Sequence, residues 1–562
     1  MSAADAASSL WIALFCTLLP CLCAVEQRAR AGEGSRTSRL GISIPMRDGK
    51  SLAADVLLPA PEGEFPTVFI HTPYNRQYGD TPLPDELLAR ELLDRDHYAY
   101  VIVDWRGFFG SKAAAKGVGK LDHGRDGHDV VEWIARQPWS NGKVGTWGIS
   151  AVGAVQYRTA IEQPEHLTCI VPASANIGFP YEQFYYGGVP QLYYLKVMET
   201  AGHEVGKLVR DHPVNGEFWR AMDGTFDRGR IDLPALFVTG WFDTHPHLKI
   251  DTYRQIRAKG KRHYDDMKLI IGPWLHTRIG KPEQGALSFP EAEDYVARQT
   301  LKFYDFWLRG DKDSGWRAMP TVQYFQMGSN EWKMADDWPP PTKTLLYYLR
   351  SGRRLDREPP HREGHDTYVS DPADPTPTVG GNLIELARAR MKVPIGPQDL
   401  SKRVERRKDV LSFTTDVLSN DLEVAGSVKV KLYASSDCDD TDFAVRLSEV
   451  YPDGRSMLVA DGIQRLRFCG SLEDPQLREA GEIHEVTVTL PPTAQTFLAN
   501  HRLRISVSSS NYPQYEVNPN IGRRRLFGPK KRVATNRIYH DEAHPSAVLL
   551  PVAGDERERK KQ

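Results

Sequence analysis

The chain has 562 residues, 40% of them hydrophobic, which is enough for three or four structural units with large buried cores. Lysine and arginine together number 72 and aspartate and glutamate 73, so the formal net charge is -1. A chain without a strong net charge has no long-range field that attracts nucleic acid or an anionic membrane surface, so neither partner is expected; the composition leaves the oligomeric state open.

The first element in chain order is a short apolar segment at residues 10–24, interrupted by Pro20. It is shorter than the roughly 20 apolar residues that a membrane-spanning helix needs, so no membrane span is expected. Its length suits the core of a secretory signal, and we predict a signal peptide at residues 1–24, a linker at residues 25–40 and a secreted or periplasmic protein. Asp5 and the lack of lysine or arginine before residue 10 argue against a signal, so a cytoplasmic location is the alternative.

Cysteine usage bears on the same question. Half of the six cysteines lie in the predicted signal, and the others are Cys169, Cys438 and Cys469. Three cysteines exclude a disulfide scaffold, and Cys169, inside an apolar strand-like run, is predicted to be an inert core thiol. Whether Cys438 and Cys469 pair stays open, because the sequence does not give the distance between their backbones.

Short apolar runs alternate with helix-period segments over residues 41–175 and again over residues 233–317. This alternation predicts two parts of one α/β domain, with a mainly parallel sheet covered by helices. In the first part an apolar strand ends at Ser150, between Gly148 and Gly153, and leads into a helix-like segment. Flanking glycines allow a sharp turn and a close approach of strand and helix, so the motif predicts an exposed, nucleophilic serine.

The second part repeats the pattern of an apolar strand that ends in a titratable residue. One run ends at Asp243 and the next at His276. Residues beyond the carboxyl ends of parallel strands meet in one crevice, so Ser150, Asp243 and His276 are predicted to form a catalytic triad in the α/β-hydrolase order. The serine needs an imidazole to remove its proton, and the imidazole needs a carboxylate to fix its tautomer. The alternatives are a helix cap for Asp243 and an ordinary loop histidine for His276.

An insertion rich in aromatic residues, at residues 176–232, separates the two parts. Its rings could line a pocket for a hydrophobic or aromatic acyl group, or could only pack the insertion on the core. The candidate substrate-pocket residues are Trp147, Phe184, Tyr185 and His245.

Beyond residue 318 the alternation of strand and helix stops. Segments such as residues 427–433 and 485–490 alternate apolar and polar side chains with period two, which is typical of antiparallel strands with one buried face. We predict an all-β sandwich of the jelly-roll type at residues 318–552, which closes one side of the pocket, and a charged tail at residues 553–562.

Several segments together resemble the cocaine esterase and X-Pro dipeptidyl-peptidase family of serine hydrolases. The similarity covers most of residues 41–552, and it rests on the serine motif and on segments before and after it. These segments include Pro45-Met46-Arg47-Asp48-Gly49, His71-Thr72-Pro73-Tyr74-Asn75-Arg76, Val101-Ile102-Val103-Asp104-Trp105-Arg106-Gly107 and Ala499-Asn500-His501-Arg502-Leu503-Arg504. No single segment is specific, but the set is.

The resemblance implies an α/β-hydrolase fold with a helical cap at residues 176–232 and a C-terminal sandwich. It also implies an oxyanion hole formed by the Tyr74 hydroxyl and the Ala151 backbone amide. Many relatives carry an aromatic residue directly after the nucleophile, so Ala151 keeps the amide donor but lacks the ring. For Tyr74 the alternative is a loop tyrosine packed on the sheet.

The predicted activity is hydrolysis of a small-molecule ester, or of an amide, through an acyl-enzyme at Ser150. The alternatives are an X-Pro dipeptidyl-peptidase, an amino acid ester hydrolase, and an inactive hydrolase-fold binding protein. The acids Asp122, Asp126 and Asp129 could recognise a substrate amine, or could cap and begin a helix.

A zinc site is the remaining alternative. Asp243, His245, His247 and His276 carry ligand types that zinc favours. Pro246 and the close spacing make a tetrahedral site awkward, so no metal and no cofactor are expected.

Overall fold

The computed structural model describes residues 37–76, 94–200, 205–362, 364–385, 391–522 and 530–553. The predicted signal, most of the linker and residues 554–562 of the predicted tail lie outside the described residues. No helix within these ranges is long and apolar enough to cross a membrane. The last residues of the predicted linker form a strand from Thr37, because they pair antiparallel with the strand Ser51–Leu58.

Residues 37–335 form an α/β domain around one large sheet. Its strands, with two small hairpins included, are β1 (Thr37–Pro45), β2 (Ser51–Leu58), β3 (Phe65–Thr72), β4 (Ala99–Asp104), β5 (Ser140–Ile149), β6 (Leu167–Ala173), β7 (Tyr185–Tyr186), β8 (Val189–Pro190), β9 (Ala235–Phe242), β10 (Met267–Leu275), β11 (Glu283–Gln284), β12 (Leu287–Ser288), β13 (Val322–Gln326) and β14 (Glu331–Ala335). Its helices are α1 (His123–Ala135), α2 (Ala151–Ile161), α3 (Leu192–Thr200), α4 (Val205–Asp211), α5 (Glu217–Asp223), α6 (Pro246–Lys259) and α7 (Tyr295–Tyr304), which continues as a π-helical turn over Asp305–Arg309. Short 3₁₀ helices of this domain span Phe109–Ala115, Tyr181–Gln183, Arg228–Arg230, Tyr264–Asp266 and Pro290–Ala292.

The large sheet has ten strands in the order β1-β2-β4-β3-β5-β6-β9-β10-β13-β14. All neighbours from β4 to β13 run parallel. Every residue of β9 and β10 is buried, as parallel strands covered on both faces require. Ser150, Asp243 and His276 follow the carboxyl ends of β5, β9 and β10, so the topology brings them to one edge of the sheet.

The strands β13 and β14 lie in the range predicted for the sandwich, but they extend the α/β sheet. The pairing of β13 with β10 is parallel, and β14 pairs antiparallel with β13. The large sheet therefore ends at Ala335 and not at residue 317. A short strand with alternating side chains does not indicate which sheet it joins, which is why the pattern misplaced this boundary.

The insertion between β6 and β9 is the predicted cap. It contains α3, α4, α5 and the β7–β8 hairpin. Its rings pack on one another: the Tyr181 and Tyr185 rings stack with centroids 4.5 Å apart, and the Phe184 and Trp219 centroids are 5.2 Å apart. Much of the aromatic content of the insertion is thus the core of the cap itself.

The predicted C-terminal β-sandwich is confirmed. Its strands are β15 (Thr342–Arg350), β16 (Arg354–Asp356), β17 (His365–Ser370), β18 (Leu411–Thr415), β19 (Leu422–Ser436), β20 (Asp442–Val450), β21 (Ser456–Arg465), β22 (His484–Phe497), β23 (Arg502–Ser508), β24 (Ala534–Tyr539) and β25 (Ala547–Ala553), with a 3₁₀ helix at Leu466–Phe468. The long strand β19 pairs antiparallel with β22, β24 and β25. Its apolar side chains, at alternate positions over much of its length, enter a second hydrophobic core separate from that of the α/β domain.

The three cysteines of the described residues are free thiols. Cys169 is buried in β6, as predicted. Cys438 and Cys469, whose pairing the sequence leaves open, do not form a disulfide in this structure. The Cys469 sulfur instead accepts a hydrogen bond from Arg478 at 3.3 Å.

Two buried histidines pack against Trp105. His71 is in β3 and His123 begins α1, and their ring centroids are 6.1 Å apart. None of their four ring nitrogens has a hydrogen-bond partner among the described residues. Burial, with the charges of Arg158 and Arg106 adding to it, lowers the pKa of His71 to about 3, and burial also lowers the pKa of His123.

This pair predicts acid sensitivity of the fold. Between about pH 6.5 and about pH 3 these histidines bind protons in the unfolded chain but not in the folded chain. The free energy of unfolding therefore falls as the pH is lowered through this window. We expect the free energy of unfolding to lose about 1.4 kcal/mol per pH unit through His71, with a further loss of the same sign through His123. The variant His71→Leu should show a correspondingly shallower pH dependence in urea unfolding than the wild type, whereas removal of the exposed His361 should not. Equal slopes for wild type and His71→Leu would contradict the prediction.

Candidate active site

Ser150 lies at the sharp turn between β5 and α2. Its backbone has φ 61° and ψ −120°, a conformation that costs a residue with a side chain about 1–3 kcal/mol. The turn is held by three backbone hydrogen bonds: the Ser150 amide donates to Ala173 at 3.0 Å, and the Ser150 carbonyl accepts from Gly153 and Ala154. The strained turn displays the serine hydroxyl at the edge of the sheet.

The two glycines of the motif are required by close approach. A Cβ atom on Gly148 would lie 2.2 Å from the Val152 side chain, and one on Gly153 would lie 2.7 Å from the Ala173 carbonyl oxygen. Both distances are shorter than van der Waals contact, so no side chain fits at either position. The sequence motif therefore has the physical basis on which its prediction rests.

The structure brings the three predicted residues together. His276 Nε2 is 2.9 Å from Ser150 Oγ, and His276 Nδ1 is 2.6 Å from Asp243 Oδ1. These two hydrogen bonds make a continuous path for a proton from the serine to the imidazole, with the carboxylate behind it. Asp243 does not cap α6 through its side chain, since the residue before that helix is His245 and it makes no side-chain cap.

The Asp243 carboxylate is fully buried and has several donors. Oδ2 accepts from the Thr239 hydroxyl at 2.9 Å, and Oδ1 accepts from Lys249 Nζ at 3.0 Å as well as from His276. Burial by itself raises the pKa of the Asp243 carboxyl, but the Lys249 charge and the His276 contact outweigh it, so this pKa lies well below the usual aspartate value. Asp243 therefore stays ionised at every working pH.

Tyr74 and Ala151, the two predicted oxyanion donors, both lie next to Ser150. The buried Tyr74 hydroxyl lies close to the Ser150 side chain and to the Ala151 backbone amide, and both lower its pKa slightly against the effect of burial. Burial raises the pKa of Tyr74 to about 12, so its hydroxyl keeps its proton and remains a donor. Ala151 is the first residue of α2, so its amide also lies at the positive end of the helix dipole.

Two family models match this chain. One, described as X-Pro dipeptidyl-peptidase (S15 family), matches residues 48–205 and 194–278, and the other, the X-Pro dipeptidyl-peptidase C-terminal non-catalytic domain, matches residues 314–549. The chain is 31% identical over 589 residues to a cocaine esterase from Rhodococcus sp. (strain MB1 Bresler), across 92% of this chain and 99% of that protein. The chain belongs to the X-Pro dipeptidyl-peptidase (S15) family. It is a serine hydrolase, and the predicted family membership is confirmed.

Further relatives of this S15 family member agree. A protein named putative serine esterase from Mycobacterium bovis is 28% identical, across 91% of this chain and 94% of that one. Among solved structures, an aminopeptidase from a marine sediment Thaumarchaeota archaeon has a TM-score of 0.78 at 23% identity, covering 94% of this chain and 99% of that chain. An α-amino acid ester hydrolase has a TM-score of 0.77 at 24% identity, covering 95% and 100%. These two structures show that the fold is shared.

Two side chains of this S15 hydrolase that sequence reasoning missed hold the catalytic loops. The amide of Asn382, from the C-terminal domain, donates to the backbone carbonyls of Trp241 at 2.7 Å and Asp243 at 2.8 Å. The side chain of Gln284 accepts from the Leu275 amide at 2.8 Å, just before His276. A third side chain that the sequence did not predict is Lys249, which donates to Asp243 Oδ1. Each acts through a tertiary contact and follows no local motif, so the sequence carries no signal for these roles.

The predicted pocket residues have different surroundings. Trp147 is buried in β5, and Phe184 is buried in the cap. His245 lies two residues after Asp243, with Nε2 2.9 Å from the Gln191 side-chain oxygen. Their assignment to a substrate pocket stays a prediction. The Tyr185 hydroxyl donates to the Val209 carbonyl at 2.7 Å and its ring stacks on Tyr181, so within the cap this side chain makes packing contacts, and its place in a substrate pocket also stays a prediction.

The acids considered for amine recognition have structural partners. Asp122 caps α1 by accepting from the amides of Gly124 and Arg125. Asp126 binds Arg106 at 2.6 Å, and Asp129 binds Arg47 at 2.6 Å. The helix-cap alternative therefore describes this segment.

The donors of the zinc alternative are also engaged elsewhere. Asp243 and His276 bond to each other, and His245 bonds to Gln191. Within the described ranges, no three histidine, cysteine or acidic side chains are grouped as a metal site requires.

Proposed function

We propose that this chain is a carboxylic ester hydrolase that works through an acyl-enzyme at Ser150. The observation that carries the proposal is the unbroken chain of hydrogen bonds from Ser150 Oγ through His276 to Asp243, with the Tyr74 hydroxyl beside the serine. Nucleophile, base, orienting acid and oxyanion donor are all within hydrogen-bonding distance of their neighbours before substrate arrives.

In the first half of the proposed reaction His276 Nε2 takes the proton of Ser150 Oγ while Oγ forms a bond to the substrate carbonyl carbon. The carbonyl oxygen becomes an oxyanion that accepts hydrogen bonds from the Ala151 amide and the Tyr74 hydroxyl. The imidazolium then gives its proton to the leaving alkoxide as the carbon–oxygen bond breaks. An alcohol departs and the acyl group stays on the serine.

In the second half a water molecule replaces the alcohol. His276 takes a proton from the water as its oxygen attacks the acyl carbon, and the same two donors stabilise the second oxyanion. The bond to Ser150 Oγ breaks, Oγ recovers the proton from His276, and a carboxylic acid is released. Asp243 remains ionised throughout and holds Nδ1 protonated, so that Nε2 is free to act as the base.

An ester is the favoured substrate class over a peptide with a free amino terminus. The acids that could have bound an amine, Asp122, Asp126 and Asp129, are occupied by a helix cap or by arginine. A relative at 31% identity is named cocaine esterase, an enzyme named for an ester substrate.

The proposal is tested in two steps. A fluorophosphonate probe should label the wild type covalently at one site, and labelling should vanish in Ser150→Ala. The matched control is Ser174→Ala, a buried serine just beyond the next strand, which should still be labelled. A folded wild type that resists the probe would instead indicate an inactive binding protein.

The second step compares the rates at which different kinds of scissile bond are cleaved. We expect kcat/KM at one pH to be highest for aryl esters, lower for amino acid esters and lowest for X-Pro anilides. A rate on an X-Pro anilide above that on simple esters would reverse the assignment in favour of a dipeptidyl-peptidase. Preference for amino acid esters over the matching N-acylated esters would indicate an amine site elsewhere in the pocket.

A further inference from the structure

Lys249 is a buried lysine beside the proposed catalytic acid. It lies in the first half of α6, six positions after Asp243, and its side chain is only 5% exposed. An ammonium group has three N–H donors, and all three have acceptors here: Asp243 Oδ1 at 3.0 Å, Thr244 Oγ1 at 3.2 Å and the Thr244 backbone oxygen. This full set of acceptors is the environment of a charged ammonium.

The ammonium and the imidazole share one oxygen atom. Asp243 Oδ1 accepts from Lys249 Nζ and also from His276 Nδ1. In a triad without a lysine, a single buried negative charge faces the imidazolium that forms during the reaction. Here a buried ammonium compensates that carboxylate on the same oxygen: burial lowers the pKa of Lys249, and the Asp243 carboxylate opposes that effect.

A cation in this place has a definite effect on the histidine. A positive charge within about 4–6 Å disfavours a second positive charge, so it makes protonation of the imidazole harder. It also holds Asp243 Oδ1 in place, because Lys249 is held in turn by both oxygens of Thr244. The two effects are separable, since only the first depends on the charge of the lysine.

We propose that Lys249 is a positioning residue for the triad, whose buried charge keeps His276 unprotonated, and the hydrolase therefore competent, at lower pH than the same triad without it. The proposal rests on the function proposed above, because it assumes that His276 is the general base.

Several titratable groups surround Lys249. They are Asp243, His245 and His247 on the loop and the start of α6, His276 after β10, Tyr193 on α3 of the cap, and Glu385 of the C-terminal domain, which accepts from the Thr277 amide at 3.3 Å. Burial lowers the pKa of His245 and of His247, the latter to about 3, so both are neutral over the pH range of the test. Lys249 also contributes to the low pKa of Asp243, His245 and His247, but burial, which the variant does not change, is the larger cause for the two histidines.

The test is the pH dependence of kcat/KM for a neutral aryl ester, from about pH 5 to about pH 9, in wild type and in Lys249→Met. Methionine keeps an unbranched side chain of similar length and removes the charge. We expect the midpoint of the acid limb to move to higher pH by about one unit. A purely structural role would lower the rate equally at all pH values and leave the midpoint where it is.

Lys268→Met is the matched control. Lys268 is also buried, and it donates to the backbone carbonyls of Trp316 and Met319 away from the triad. Its removal should cost stability and leave the acid limb in place.

Two more variants keep the proposal testable if Lys249→Met does not fold. Lys249→Gln retains hydrogen-bond donors without charge and should move the limb in the same direction, whereas Lys249→Arg retains the charge and should leave it close to wild type. An unmoved limb in a folded, neutral variant overturns the role of Lys249. Fluorophosphonate labelling of the wild type, lost in Ser150→Ala, shows separately that the proposed function stands.

Discussion

The variant His276→Ala is expected to hydrolyse an aryl ester about 10⁶-fold more slowly than the wild type, as a drop in kcat. In the structure the imidazole is the only link between Ser150 Oγ, at 2.9 Å, and Asp243 Oδ1, at 2.6 Å, among the described residues. Without it the serine hydroxyl has no acceptor for its proton, and no acid protonates the leaving alkoxide. Steady-state kinetics with a chromogenic ester measures the effect.

A second histidine with an aspartate partner serves as the control. His263 Nδ1 lies 3.0 Å from Asp266 Oδ2, shortly before β10 begins, and its removal leaves the triad untouched. We expect His263→Ala to retain kcat within a few-fold. If a correctly folded His276→Ala loses less than about 100-fold, another group is the base and the proposed mechanism is wrong.

The second large effect is expected for Tyr74→Phe, which should lower kcat by about 10²–10³-fold and leave KM nearly unchanged. The substitution removes one hydroxyl, and that hydroxyl lies beside Ser150 Oγ and the Ala151 amide. A donor aimed at the oxyanion strengthens its bond as charge develops, so its loss is felt in the transition state more than in the bound substrate. One amide donor remains, which is why the expected loss is smaller than for the histidine.

The control for Tyr74 is another buried tyrosine of the α/β domain. The Tyr304 hydroxyl donates to the Thr146 carbonyl of β5 at 2.9 Å, and Tyr304→Phe removes a hydroxyl of the same kind from the same domain. It should change thermal stability and spare kcat. A Tyr74→Phe enzyme with wild-type kcat would mean that Tyr74 is only a packing residue, the alternative that its sequence allowed.

The residues that could be predicted are those fixed by local chain geometry. Ser150 lies in a turn that can be predicted from its flanking glycines, because positions 148 and 153 leave no room for a Cβ atom and so require Gly148 and Gly153. Asp243 and His276 end buried parallel strands, and such strands have continuous apolar sequences. The chain order of the three and their place at strand ends were therefore visible before any coordinates.

The residues that could not be predicted act across the fold. Lys249 appears in the sequence as an ordinary helical lysine, and only the packing of α6 against the acid loop buries its ammonium. The β13 strand carries no mark of its parallel pairing with β10, so the sequence does not predict that it joins the large sheet. Composition also does not distinguish a ring that lines a cavity from one that stacks inside the cap, as the Tyr185 ring does on Tyr181.

The contact made by Asn382 changes how the C-terminal domain should be regarded. The family model that covers that domain describes it as non-catalytic, yet in this chain its amide fixes the backbone on either side of the acid loop, at 2.7 and 2.8 Å. A fraction of an ångström of drift between the domains would thus reach the proton relay directly. The two domains are therefore not interchangeable. A chimaera that joins either one to a domain of a distant homologue would have to preserve the contact between Asn382 and the acid loop.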